Sequence, residues 1–247
     1  MRIDLFFTTT SGDVGILYKC IRRLYNTIVW YKCSMGTIEN LSNREALLLA
    51  ARKCLLEKGY NRTTARDIAS AAGVSLAAIG YHFDSKDALL TEALLLAFGE
   101  WDQDLQRALR TAVPSNVTPA ERFEATWAKI IATFETHRPL WIANFEIFTQ
   151  MIGQPATREI IASKLRIART GLAAMFLKRD ESSIDEHTVR TIGTFHHVLL
   201  SGLVLQWLID PASSISAKDL TEALRATASG LTPRGRRNHA KATRKKS

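Results

Sequence analysis

The stretch from Thr63 to Lys86, TTARDIASAAGVSLAAIGYHFDSK, decides the fold. Thr64 precedes Asp67 by three residues. Its hydroxyl can cap a helix start while the carboxylate occupies the positive end of that helix. Ile68, Ala69 and Ala72 then form a narrow apolar stripe. Gly73 stands where this helix must stop, and glycine alone takes the left-handed conformation there cheaply. Val74 can pack into the crook of the turn, and Ser75 is expected to cap a second helix. That second helix opens with Leu76, Ala77 and Ala78. The two alanines let its backbone approach another body closely, and the floor of a DNA major groove fits.

Outward from this pair of helices, the chain reads as helix throughout. Upstream, Ser42 and Glu45 make a capping box for a helix over about Asn43 to Lys58. Leu47, Ala50, Ala51, Cys54 and Leu55 lie on one face, and Gly59 ends it. Downstream, Asp84 or Ser85 caps a long helix that begins at Lys86 and runs to about Arg110. A lysine at a helix N-terminus opposes the dipole, so Lys86 implies a nearby anion, such as a DNA phosphate; the alternative is a solvated side chain. Leu89, Ala93, Leu96 and Trp101 suit this helix to link the DNA-reading unit to the rest.

Beyond Pro114 and Pro119 a second all-helical unit is expected. Phe123, Trp127, Ile130, Ile131 and Phe134 form one stripe, and Arg138-Pro139 breaks it. Trp141, Phe145, Phe148 and Ile152 form another, interrupted at Gly153 and Pro155. A third runs through Ile161, Leu165, Ala168 and Leu172 to about Arg179. The segment Ile184 to Ile209 is apolar nearly all round in its second half, so both sides must be covered: by core and partner subunit, or by core alone in a monomer. Ser216 caps a last helix with Leu220, Leu224, Thr227 and Leu231 on one face.

The run GVS-LAAIGYHF-DSKDALL, with Thr63-Thr64, DIA at Asp67 to Ala69 and YHF at Tyr81 to Phe83, resembles the TetR family of bacterial transcription regulators over about residues 43–90. Gly80 departs from the commonest pattern and loosens the reading helix by about 1 kcal/mol relative to alanine. The resemblance implies an all-α chain with an N-terminal three-helix helix-turn-helix unit (39–88) and a helical effector-binding and dimerisation unit (89–232). It implies phosphate contacts at Thr64, Tyr81, His82 and Lys86. Packing is the alternative for Tyr81 and His82. With Thr63, Arg66 and the base-facing Ser75, Leu76, Ala77 and Ala78, these make the expected DNA-binding set. None of those four can form a bidentate base contact, so base reading would rest on thymine methyls, Ser75 and DNA shape. Arg44 is a further candidate.

The implied partners are an operator in double-stranded DNA, a small-molecule effector and a second copy held through the last two long helices. Trp127, Phe134, Trp141, Phe145, Phe148, His196 and Gln206 are the candidate effector contacts; plain core is the alternative for the aromatics. His196 and His197 point about 100° apart on a helix, so they do not chelate one metal, and no metal or cofactor is expected. There is no phosphate loop, nucleophile elbow or metal-ligand spacing, so an enzyme is not expected.

The chain has 247 residues, 46% of them apolar and 23% charged, and a net charge of +9. Its ends supply that charge: residues 1–34 carry +3 and 234–247 carry +7, while 35–233 sum to −1. Charge alone therefore does not argue for nucleic acid. The rival class is a nucleic-acid-binding or architectural protein acting through its basic ends without sequence preference. Residues 1–34 fit nothing that follows, and Met35 is the expected start, within an extra N-terminal segment bounded at 1–38; a basic arm is the alternative. The tail from Pro233 is expected to be disordered. Three cysteines make no disulfide framework. The apolar run Phe195 to Ile209 is too short for a membrane crossing, and a cytoplasmic protein is expected.

Overall fold

A computed structural model of the chain describes residues 41–112, 117–151 and 155–231. The expected N-terminal extension (1–38) and basic tail (233–247) lie outside them. The fold is all-α, with no strand among the described residues. Helices α1 (Asn43–Lys58), α2 (Ala65–Ala72) and α3 (Ala77–Phe83) form the N-terminal helix-turn-helix unit. They are followed by α4 (Lys86–Ala112), α5 (Pro119–Ala132), α6 (Arg138–Met151), α7 (Pro155–Leu177), α8 (Glu186–Ile209) and α9 (Ala217–Leu231).

Local sequence sets most of these boundaries. Capping boxes open α1 (Ser42 with Glu45), α2 (Thr64 with Asp67) and α5 (Thr118 with Glu121). Ser85, not Asp84, opens α4: its Oγ accepts from the Ala88 N–H at 3.1 Å. Ser216 does the same for α9 through the Asp219 N–H at 3.1 Å. Gly73 ends α2 at φ +67°, in the left-handed region expected of it. Arg138-Pro139, where the periodicity breaks, is the first turn of α6, where proline lacks no hydrogen bond that the helix needs.

One apolar core runs without a break from α1 to α9, including Leu47, Leu55, Ile68, Leu89, Trp127, Phe134, Val204 and Leu220. Leu89 and Leu90, at the start of α4, are completely buried. Ion pairs Arg44–Glu92 (2.6 Å) and Arg52–Glu100 clamp α1 along α4. Arg44 also lies over the Phe83 ring, so it is not a free DNA-facing cation.

Two expectations about the C-terminal helices need correction. The face that α9 buries contains Ala217, Leu220 and Thr221, whereas Thr227 and Leu231 are exposed. It packs on α5. The second concerns α8. It is one continuous segment of 24 residues, long and apolar enough to cross a membrane by length and composition. The length of the Phe195–Ile209 run therefore decides nothing. What assigns α8 to the bundle is its inner face, where His196, Leu200, Leu203, Val204 and Trp207 are buried.

A π turn, Val189–Gly193, interrupts α8. A Cβ at Gly193 would lie 2.4 Å from the Arg169 carbonyl oxygen on α7. Only a glycine lets the α7 and α8 backbones meet here. π turns of this kind mark sites where local packing outweighs regular hydrogen bonding.

Candidate nucleic-acid interface

The second helix of the motif is built to show one face. Ile79 and Phe83 are buried against the core, and Ala78 packs partly beside them. Ser75, Ala77 and Gly80 are exposed, Leu76 is 49% exposed and Tyr81 is 85% exposed. Leu76 and Tyr81 thus stand in water on a helix that is anchored from its opposite face. Ser75 does not cap this helix. The helix starts at Ala77 after a turn at Leu76 that makes no side-chain cap bond. Tyr81 and His82 meet edge to face at 4.8 Å at the end of the exposed face.

The remaining expected contacts divide. Arg66 is exposed on α2. Thr64 is exposed, but Asp67 engages both its hydroxyl (2.6 Å) and its N–H (2.9 Å). Asp67 also accepts from Lys58 at 2.6 Å, and these bonds hold its carboxyl well below the usual carboxylate range. Thr63 is not a surface contact: it is 1% exposed, and its hydroxyl lies 2.7 Å from the Gly59 carbonyl and 3.1 Å from that of Cys54. It closes the link between α1 and α2. The anion implied by Lys86 is in part internal. Its Nζ lies 3.7 Å from Asp87, 3.4 Å from the Thr63 carbonyl and over the Tyr60 ring.

This arrangement is a helix-turn-helix with a bare reading face, and residues 47–93 match the family model described as "Bacterial regulatory proteins, tetR family". Over those residues the chain is similar to the tetR family. It is similar to the HTH-type transcriptional repressor BepR of Brucella suis biovar 1, at 25% identity over 69% of this chain and 82% of that one. It is also similar to the HTH-type transcriptional repressor KstR2 of Mycobacterium tuberculosis, at 31% identity over 46% of this chain and 55% of that one. In solved structures its fold is that of the multidrug binding protein EbrR, crystallised with imidazole. The TM-score is 0.53 with 22% identity, over 76% of this chain and 90% of that one; at that identity the likeness is one of fold alone. With this helix-turn-helix match and repressors as its relatives, it is a DNA-binding transcription regulator and not an enzyme.

The inner part of the chain has a concavity. A cavity of about 200 Å³ lies between α4, α6, α7 and α8. Trp141, Phe145 and Phe148 line it. The other expected effector contacts do not. Trp127 and Phe134 are completely buried and fill the core around Phe176 and Trp207. His196 stacks on Phe176 at 3.5 Å, and burial holds its pKa down to about 4. Gln206 points to solvent on the far side of α8. Adjacent residues on a helix point about 100° apart, so His197, not His196, reaches the cavity wall.

The sequence reading overlooked a second connection between the two halves. Glu146 on α6 accepts the Tyr60 N–H at 2.6 Å, at the end of α1. Gln150, one turn on, meets Asn61 at 3.3 Å. Tyr60 in turn donates its hydroxyl to Asp87 at 2.8 Å, and burial raises its pKa. The available signal was a single carboxylate between Phe145 and Ile147 in an otherwise apolar run.

Proposed function

We propose that this chain is a ligand-responsive repressor that binds a near-palindromic operator as a homodimer in the cytoplasm. The observation that carries the reading is the exposed face Ser75, Leu76, Ala77 and Tyr81 on a helix whose opposite face, Ile79 and Phe83, is locked into the core. In this reading Ser75 to Ala78 meet base edges. Arg66, Tyr81 and His82 contact phosphates, with Lys86 a weaker contact because it is shared with Asp87.

Support for a dimer comes from the outer face of α8. Phe195, Val198, Leu205 and Ile209 recur along one side and are 41%, 61%, 45% and 77% exposed. Gly202 lies among them with open space around it, which lets a second helix approach closely. A C2 pairing through α8 and the exposed part of α9 would cover this stripe and double the DNA site. The effector would occupy the cavity between α4, α6, α7 and α8. Residues 39–88 and 89–232 are then functional units on a common core, coupled along α4 and through Glu146. A ligand pressing on Phe145 or Phe148 displaces α6, and Glu146 transmits that shift to Tyr60. A coupling of about 1–3 kcal/mol makes a usable switch.

Footprinting on the DNA around the chain's own gene tests this. The reading expects two protected half-sites about one helical turn (~34 Å) apart or a multiple of it. Uniform protection that dissolves with salt would instead support a protein acting without sequence preference.

A further inference from the structure

The cavity is apolar apart from a few side chains; of these Asn144, His197 and Ser201 can both donate and accept, whereas Lys164 and Trp141 can only donate. Lys164 on α7 lines it, half-buried, and its ammonium makes no ion pair or hydrogen bond among the described residues. Glu92 is the carboxylate whose field reaches Lys164, but Arg44 already holds it at 2.6 Å. Burial accordingly pulls the Lys164 pKa down, with Glu92 only partly opposing. Trp141, 4% exposed, lines the same cavity, and its indole N–H is buried without an acceptor. His197 and Ser201 add polar edges from α8. Two acids, Asp102 and Glu181, also line the wall; each has an interaction of its own, and Glu92 is the carboxylate whose charge bears on Lys164. A desolvated cation that lines an apolar space without a protein partner calls for an acceptor that carries negative charge.

We propose that the cavity selects an apolar molecule with an anionic head group, a carboxylate, held by Lys164 with its apolar body against Trp141, Phe145 and Phe148. This rests on the reading of the cavity as the effector site. The carboxylate restores to Lys164 the partner that the fold leaves out, and the apolar body displaces water from the aromatic wall. A neutral ligand of the same shape leaves the ammonium buried and unpaired, and a cationic one adds a like charge beside it.

The test uses the full chain and three probes of equal length: 11-bromoundecanoate, 11-bromoundecanol and (11-bromoundecyl)trimethylammonium. Bromine quenches tryptophan fluorescence on contact, and Trp101 and Trp141 line the cavity. The carboxylate should bind at least tenfold more tightly than the alcohol, and the ammonium probe should not quench. Lys164→Met should erase the preference for the carboxylate, and Lys164→Arg should keep it. If Lys164→Met does not fold, retention of the preference by Lys164→Arg and its loss in Lys164→Gln carry the same decision. Equal binding of alcohol and carboxylate, both abolished by Ser201→Phe in the cavity wall, would overturn the anionic head group and leave the effector site standing. Quenching unaffected by Ser201→Phe would overturn the effector site itself. No quenching by any probe would overturn the proposal.

Discussion

Replacing His196 by phenylalanine separates its packing role from the ligand contact expected of it. The imidazole is 6% exposed, stacked on Phe176 at 3.5 Å, and its Nδ1 has no hydrogen-bond partner. Burial lowers its pKa from 6.5 to about 4. The unfolded chain therefore binds a proton that the folded chain refuses, over the window between these values. Stability is fully present above pH 6.5 and falls as the pH drops towards 4, by about 3 kcal/mol in total. For a domain of this size that lowers the melting temperature by very roughly 6–12 °C. The phenylalanine variant has no proton to refuse. Other groups titrate equally in both proteins, so the measurement is the difference between the two stabilities, from urea unfolding at pH 7, 6, 5 and 4. The variant should gain about 3 kcal/mol on the wild type between the ends of the series and should bind a cavity ligand unchanged. Parallel curves would refute the buried, neutral imidazole. A large loss of ligand affinity would return His196 to the effector site.

Two further outcomes follow from backbone and helix contacts. Gly193→Ala would drive a methyl into the Arg169 carbonyl, so α7 and α8 must separate; thermal melts should show a loss of about 1–3 kcal/mol, and an unchanged melting temperature would deny the close approach. Glu146→Ala removes the acceptor of the Tyr60 N–H, and a bond to a charged group of this kind contributes about 1.5–3 kcal/mol. DNA-binding titrations with and without a cavity ligand should show effector response reduced by tenfold or more with ligand affinity nearly intact. A wild-type response would leave α4 as the sole link.

What was legible in the sequence was what local chemistry dictates. Ser42–Glu45, Thr64–Asp67 and Gly73 fix their helix ends through hydrogen bonds within a few residues, so α1 and α2 could be bounded before any packing was known. The reading helix was legible by its pattern of small and buried residues. Ser75 was misread because a serine before an alanine run resembles a cap, whereas the backbone enters through a turn at Leu76. Thr63 was misread because position in a motif does not reveal direction: it turns inwards to two carbonyls of the preceding segment. The cavity was the least legible part. Aromatic spacing places a residue on a helix face but cannot distinguish a face that meets a void from one that meets another ring. Trp141 meets the void, and Trp127 and Phe134 meet rings. Glu146 and Lys164 are lone charges among apolar residues, and neither was marked by the stripes around it.

The central claim is that the exposed face opened by Ser75 and Ala77 lies against DNA. Ala77→Glu tests it most directly, because Ala77 is exposed and its replacement disturbs no core contact. Operator binding, followed by fluorescence anisotropy beside a melt that confirms an intact fold, should weaken at least a hundredfold, through a carboxylate placed among phosphates and base edges. Wild-type affinity in the folded variant would contradict the claim.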